Sequence, residues 1–123
     1  MRSLYSFLPV AVERACDIRL WLDARVTDFP TSARHGIGHR ILDSAIDLLD
    51  AFLRATYAPS RSPEATAALT SANQRLALLR LLLRGARERR YLSIAQHKHA
   101  VERLAELGRM TGAWLRRLAP PPA

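Results

Sequence analysis

SPEATAALTSANQRLALLRLLLRGARER, residues 62–89, decides the fold. Ser62 offers a hydroxyl where a helix start leaves backbone amides free. Pro63 suits the first helical position because its missing N–H has no partner there, and Glu64 meets the positive end of the helix dipole. From that start Leu69, Ala72, Leu76, Leu79 and Leu83 recur at spacings of three and four, the pattern of one buried helix face. The spacing predicts a helix continuing to about Arg89. Leu78, Leu81 and Leu82 lie beyond the seam, so leucine covers more than half the circumference, more than a single intramolecular core asks of one helix. Either this helix is unusually enclosed or it also meets another subunit.

Downstream, Ser93-Ile94-Ala95-Gln96 has the spacing of a capping box, in which the serine and the glutamine satisfy each other's backbone donors. A helix from there to about Leu118 would bury Ile94, His97, Val101, Leu104, Gly108, Thr111, Leu115 and Leu118. That alternation of threes and fours suits packing near ~20° between helices. Ala119-Pro120-Pro121-Pro122-Ala123 cannot extend it and is expected as a disordered Pro-rich tail.

Upstream, Ala11, Ala15, Ile18, Leu22 and Val26 form a narrow stripe on a helix from about Pro9 to Val26. Asp28-Phe29-Pro30 ends it, and Thr31 or Ser32 is placed to cap a second helix from about Ala33 to Ala58. Ile37, Ile41, Leu42, Ala45, Leu48, Leu49, Phe52 and Leu53 fill nearly half of that helix. Arg40, Asp43, Asp47, Asp50 and Arg54 occupy its other side, where Arg40 with Asp43 and Asp50 with Arg54 have ion-pair spacing worth ~0.3 kcal/mol each. The expectation is an all-α protein: one up-down four-helix bundle over residues 1–118, with 119–123 as tail.

At 123 residues one such core suffices, since a domain of this size hides roughly two thirds of its unfolded surface. The lone Cys16 excludes an internal disulfide and fits a reducing compartment. The start at Met1 has a short apolar run, but Pro9, Glu13 and the lack of a small-residue cleavage site argue against a signal peptide. No uncharged stretch reaches the ~18 residues that cross a bilayer, and a cytoplasmic protein is expected.

The net charge of +8 is unevenly placed. Residues 1–60 carry seven Arg against seven acids, whereas residues 61–123 carry twelve Arg plus Lys against four Glu. Such asymmetry points to an anionic partner; eighteen Arg against one Lys is also what an Arg-favouring coding bias gives. On the third helix Arg80, Arg84 and Arg87 fall within about 60° of one another, joined by Asn73, and on the fourth Lys98, Arg109 and Arg116 fall within about 20°. Two stripes on consecutive helices can merge into one phosphate-contacting surface, the plainer reading being two solvated faces.

Gly108 and Gly112 each cost about 1 kcal/mol relative to Ala inside a helix, and close approach by another backbone is the natural compensation. Trp21, Met110 and Trp114 lie off the main seams. With Leu78 and Leu81 they are candidate oligomer contacts, the alternative being that they roof the bundle edge. His35 and His39 stand one turn apart, but no third metal ligand has matching spacing, and His97 is expected buried or partly buried. The carboxylate pairs Asp43/Asp47 and Glu102/Glu106 lack the Glu-x-x-His partners of a di-metal bundle. No phosphate loop, nucleophile elbow or zinc spacing is present. No enzyme, cofactor or metal is expected.

Phe29-Pro30 followed by Arg34-His35-Gly36-Ile37-Gly38-His39-Arg40-Ile41 and Leu48-Leu49-Asp50 resembles the start of the second helix in the Avd (accessory variability determinant) family of diversity-generating retroelements. Ala72-Asn73-Gln74-Arg75-Leu76, Leu79-Arg80-Leu81-Leu82-Leu83-Arg84 and Gly108-Arg109-Met110-Thr111-Gly112-Ala113-Trp114-Leu115 resemble its third and fourth helices in order and spacing. The likeness spans about Trp21 to Arg117, with His97 standing where the family usually has an aromatic. The family shares its four-helix fold with the ribosomal-RNA intervening-sequence proteins. The resemblance implies a five-membered homo-oligomeric ring whose basic surface binds nucleic acid and the retroelement reverse transcriptase. The role it implies is non-catalytic support of mutagenic cDNA synthesis from a template RNA. It nominates Arg75, Arg80, Arg84, Arg87 and Arg109, and less strongly Arg116, as contacts; Lys98 joins them through its stripe. The competing reading is a four-helix adaptor that binds only a protein partner.

Overall fold

The computed structural model describes residues 8–120; residues 1–7 and the tail's last three, 121–123, lie outside them. Four long helices follow in order: α1 (Val10–Thr27), α2 (His39–Tyr57), α3 (Pro63–Glu88) and α4 (Ile94–Leu118). Each packs on its sequence neighbour, and α4 closes the bundle against α1. No helix is long and apolar enough to cross a membrane among the described residues.

The caps on α3 and α4 form as their sequences require. Ser62 Oγ accepts from the Ala65 amide at 3.1 Å. Ser93 Oγ accepts from the Gln96 amide at 3.0 Å while Gln96 Oε1 accepts from the Ser93 amide at 2.9 Å. The start of the second helical segment differs from expectation. The chain enters at Pro30, whose carbonyl accepts from the amides of Ala33 and Arg34, both at 2.9 Å. Thr31 and Ser32 therefore sit inside the first turn and cap nothing; Thr31 Oγ1 accepts instead from Arg34 Nη2 at 3.0 Å.

The unbroken helix expected from 33 to 58 is also corrected. A turn at Thr31–Ala33 and a π-helical stretch at Arg34–Gly38 precede α2, with a kink at Gly36 (φ −97°, ψ −107°). Two residues on, Gly38 is buried where the kinked segment crosses the end of α1. A Cβ there would stand 2.8 Å from Val26 Cγ1 and 3.1 Å from the Ala33 carbonyl oxygen. Neither neighbour is a flexible side-chain end, so Gly38→Ala is expected to cost about 1–3 kcal/mol by overpacking. Urea denaturation reads this; a loss under about 0.5 kcal/mol, the scatter of neutral surface changes, would show that the kink yields freely.

The core is built from Ile18, Leu22, Ile41, Leu48, Phe52, Leu69, Leu76, Leu79, Leu83, Leu104 and Leu107, all nearly inaccessible. The stripes read for the first and third helices are buried throughout. On α4 the seam is rotated from the expected one. It runs through Ala100, Leu104, Leu107 and Thr111, leaving Ile94 74% and Val101 36% exposed. The physical reason is that α4 must meet α3 on one side and α1 on the other. The small Ala100 fits the centre of that arc, and the larger Val101 falls at its rim.

Candidate nucleic-acid interface

The buried spine of α3 leaves two edges, and its arginines divide between them. Arg80, Arg84 and Arg87 lie on the edge facing α4. Arg80 Nη2 donates to the Leu104 carbonyl across the groove at 3.4 Å. It lies 3.1 Å from where a Cβ on Gly108 would be. Arg84 and Arg87 both act electrostatically on His97 of α4. Arg75 lies on the opposite edge, toward α2, with Nη1 3.9 Å from Asp47 Oδ2. The structure thus brings three of the four α3 arginines together and sets Arg75 apart.

On α4, Lys98, Arg109 and Arg116 are exposed. They share the outward face of α4, about 160–180° round from the buried Ala100 at 100° per residue, along about 27 Å of axis at 1.5 Å per residue. Three cations therefore border the α3–α4 groove from α3, and three more stand beyond it on the outer face of α4. Among the described residues none of the six has a carboxylate within ion-pair distance, whereas Arg14, Arg54, Arg75 and Arg103 each do. Glu102 shares the outer side of α4 and Glu88 closes the end of α3, so the face is strongly but not purely cationic.

The glycines serve this groove differently from the expectation. No second backbone approaches Gly108 or Gly112; their nearest neighbours are the guanidinium ends of Arg80 and Arg116, at 3.1 and 3.5 Å from an added Cβ. Gly108 instead leaves the space in which Arg80 reaches Leu104. His97 is half-buried, and its pKa lies below the usual 6.5 because burial, and then the charges of Arg87 and Arg84, disfavour the imidazolium more than Glu88 favours it. The influence of Arg84 and Arg87 on it crosses from α3, which one helix's rotation pattern does not reveal.

The five apolar candidates also divide. Leu78 and Leu81 are 41% and 67% exposed. Trp21, Met110 and Trp114 pack against the core. Trp114 lies parallel to Phe52 at 6.3 Å, and Trp21 lies 4.8 Å from the His99 ring with Arg25 over it at 5.4 Å. On α2, Asp50 pairs with Arg54 at 2.7 Å as the spacing predicts. Asp43 pairs with His39, one turn back at 3.2 Å, and not with Arg40. Among the described residues no three His, Cys, Asp or Glu side chains cluster closely enough to hold a metal ion.

Comparison with known proteins gives a match to the family model described as bAvd-like, over residues 10–118. No curated protein and no solved structure matches the chain.

Proposed function

This chain belongs to the bAvd-like family, and from that premise we propose that it is a non-catalytic accessory protein of a diversity-generating retroelement. In this reading it binds nucleic acid through the α3–α4 groove and assists the element's reverse transcriptase in mutagenic cDNA synthesis in the cytoplasm. The observation that carries the reading is the row of Arg80, Arg84 and Arg87 on the α4-facing edge of α3, with Lys98, Arg109 and Arg116 on the outer face of α4 beyond it, none of the six with a carboxylate partner among the described residues. Leaving guanidinium groups unpaired side by side is unfavourable in isolation, and a polyanion relieves it by releasing counterions from its own phosphates.

Filter binding of RNA to the purified protein, without polymerase, tests the reading. Six phosphate contacts predict a slope of log K against log salt near −4 to −5, which is a loss of about 10² to 10³ in affinity between 50 and 200 mM salt. A flat salt response, or RNA retention only when polymerase is added, would favour the adaptor that binds protein alone.

Self-association into a five-membered ring, in this reading, rests on the exposed Leu78 and Leu81. The double variant Leu78→Asp/Leu81→Asp is expected to lower the particle mass in light scattering to that of a single chain while helicity persists. An unchanged mass would place the subunit contact elsewhere.

A further inference from the structure

Resting on the nucleic-acid reading above, we propose that the cleft between α1 and α4 is a second subsite for the same strand, one that takes a single unstacked base, guanine by preference. On α1, Arg14, Asp17 and Trp21 stand at spacings of three and four, and on α4 His99, Arg103 and Glu106 do the same, so each helix turns three polar or aromatic side chains to a shared seam. Together they line a cleft of about 280 Å³, at the small end of the range for ligand pockets. The Trp21 and His99 rings, 4.8 Å apart and tilted by 37°, make its aromatic wall, and an aromatic face is what a base outside a duplex stacks on. Three ion pairs gather at the same place. Glu106, at 26% the least exposed of these charged side chains, has Arg14 Nε at 3.3 Å and Arg103 Nη1 at 3.5 Å, and Arg14 Nη1 lies 3.5 Å from Asp17 Oδ2.

These pairs are long and largely exposed, so exchanging one for a ligand contact costs little. Asp17, 68% exposed, presents acceptor oxygens, while Arg14 and Arg103, both tethered by Glu106, present donors. Guanine matches both kinds of partner: its N1–H and N2 amino donors lie side by side for one carboxylate, and its O6 and N7 accept two bonds from one guanidinium. Adenine lacks the paired donors, and uracil has one N–H between two carbonyls. The approach to the cleft is cationic. At 100° per residue the exposed Lys98 is one step from His99, and the exposed Arg109 stands about 60° from Glu106, so the outer-face cations of α4 lie between the α3–α4 groove and the cleft mouth. A strand leaving the groove over Lys98 and Arg109 crosses one helix, about 10 Å wide, and brings a following base to Trp21 and His99.

The test measures, at one salt concentration, the affinity of the full chain for short single strands that are abasic throughout or carry one central guanine, adenine or uracil. Their phosphates are identical, so the differences read the base alone. The guanine strand should bind about five- to thirtyfold more tightly than the abasic one, as one base stacked on an aromatic side chain gives, and the adenine and uracil strands should gain less. His99→Ala and Asp17→Asn, both at exposed positions, should each cut the guanine gain by about threefold or more and leave the abasic strand's affinity within about twofold, whereas Arg80→Glu/Arg84→Glu/Arg87→Glu should weaken every strand and keep the gain. Free guanosine monophosphate should bind no more tightly than millimolar; micromolar binding would make the cleft a site for a free nucleotide and overturn its assignment to a strand. Equal gains from all three bases would overturn the guanine preference. If the guanine and abasic strands bind equally with the steep salt slope intact, the cleft proposal fails and the groove reading stands. If no strand binds, the groove reading fails first and this proposal with it.

Discussion

Replacing Arg80, Arg84 and Arg87 together by Glu is expected to weaken RNA binding on the order of a hundredfold or more at low salt. Each charge-assisted contact is worth about 1.5–3 kcal/mol when intact, and every 1.4 kcal/mol is a factor of ten. The salt slope should become shallower by about 2–3 because three phosphate contacts are lost. The protein should stay folded, since all three side chains are exposed and the bond these residues make across the groove, Arg80 to Leu104, is long at 3.4 Å. Arg75→Glu tests the division of α3 into two edges. It sits beside Asp47, away from the groove, and its effect should be no more than a few-fold. Equal losses from Arg75→Glu and Arg84→Glu would mean that the groove is not the boundary of the site.

The largest expected loss of stability comes from Phe52→Ala. Phe52 is completely buried and stacks with Trp114 across the bundle, so truncation removes a large transfer term and leaves a cavity, together about 3–5 kcal/mol. Thermal or urea unfolding followed by circular dichroism measures this. Trp114 emission should shift to the red as its neighbour disappears. A cost under about 1 kcal/mol would mean that α2 and α4 are not packed as described, because closely packed interiors do not refill such a volume freely.

Much of this arrangement is legible in the residues. The alternation of threes and fours in α1 and α3, the Ser62 cap and the Ser93/Gln96 box each set a local geometry that the rest of the fold does not override. Where local and tertiary demands compete, the reading slips. Hydrophobicity favours Val101 over Ala100, but space between α1 and α3 favours Ala100. The Gly36 kink breaks a run whose apolar period continues through it, so periodicity carries no trace of the break. The division of the arginines is a different case. At 100° per residue Arg75 stands about 180° from Arg84, so rotation separates the two, and only family resemblance groups them. Arg80 over Gly108 is a contact between helices, and the charges of Arg84 and Arg87 act on His97 from the neighbouring helix; both exist only once α4 has docked on α3.

The central claim is that a particular groove, and not the overall charge of +8, holds the nucleic acid. Two triple variants with the same change in net charge separate these directly: Arg80→Glu/Arg84→Glu/Arg87→Glu on the groove, and Arg34→Glu/Arg40→Glu/Arg54→Glu on the exposed side of the second helical segment. RNA affinity measured side by side at one salt concentration should collapse in the first and stay within a few-fold of wild type in the second. Equal weakening in both would contradict the account, because it would show attraction to a diffuse positive charge with no defined site.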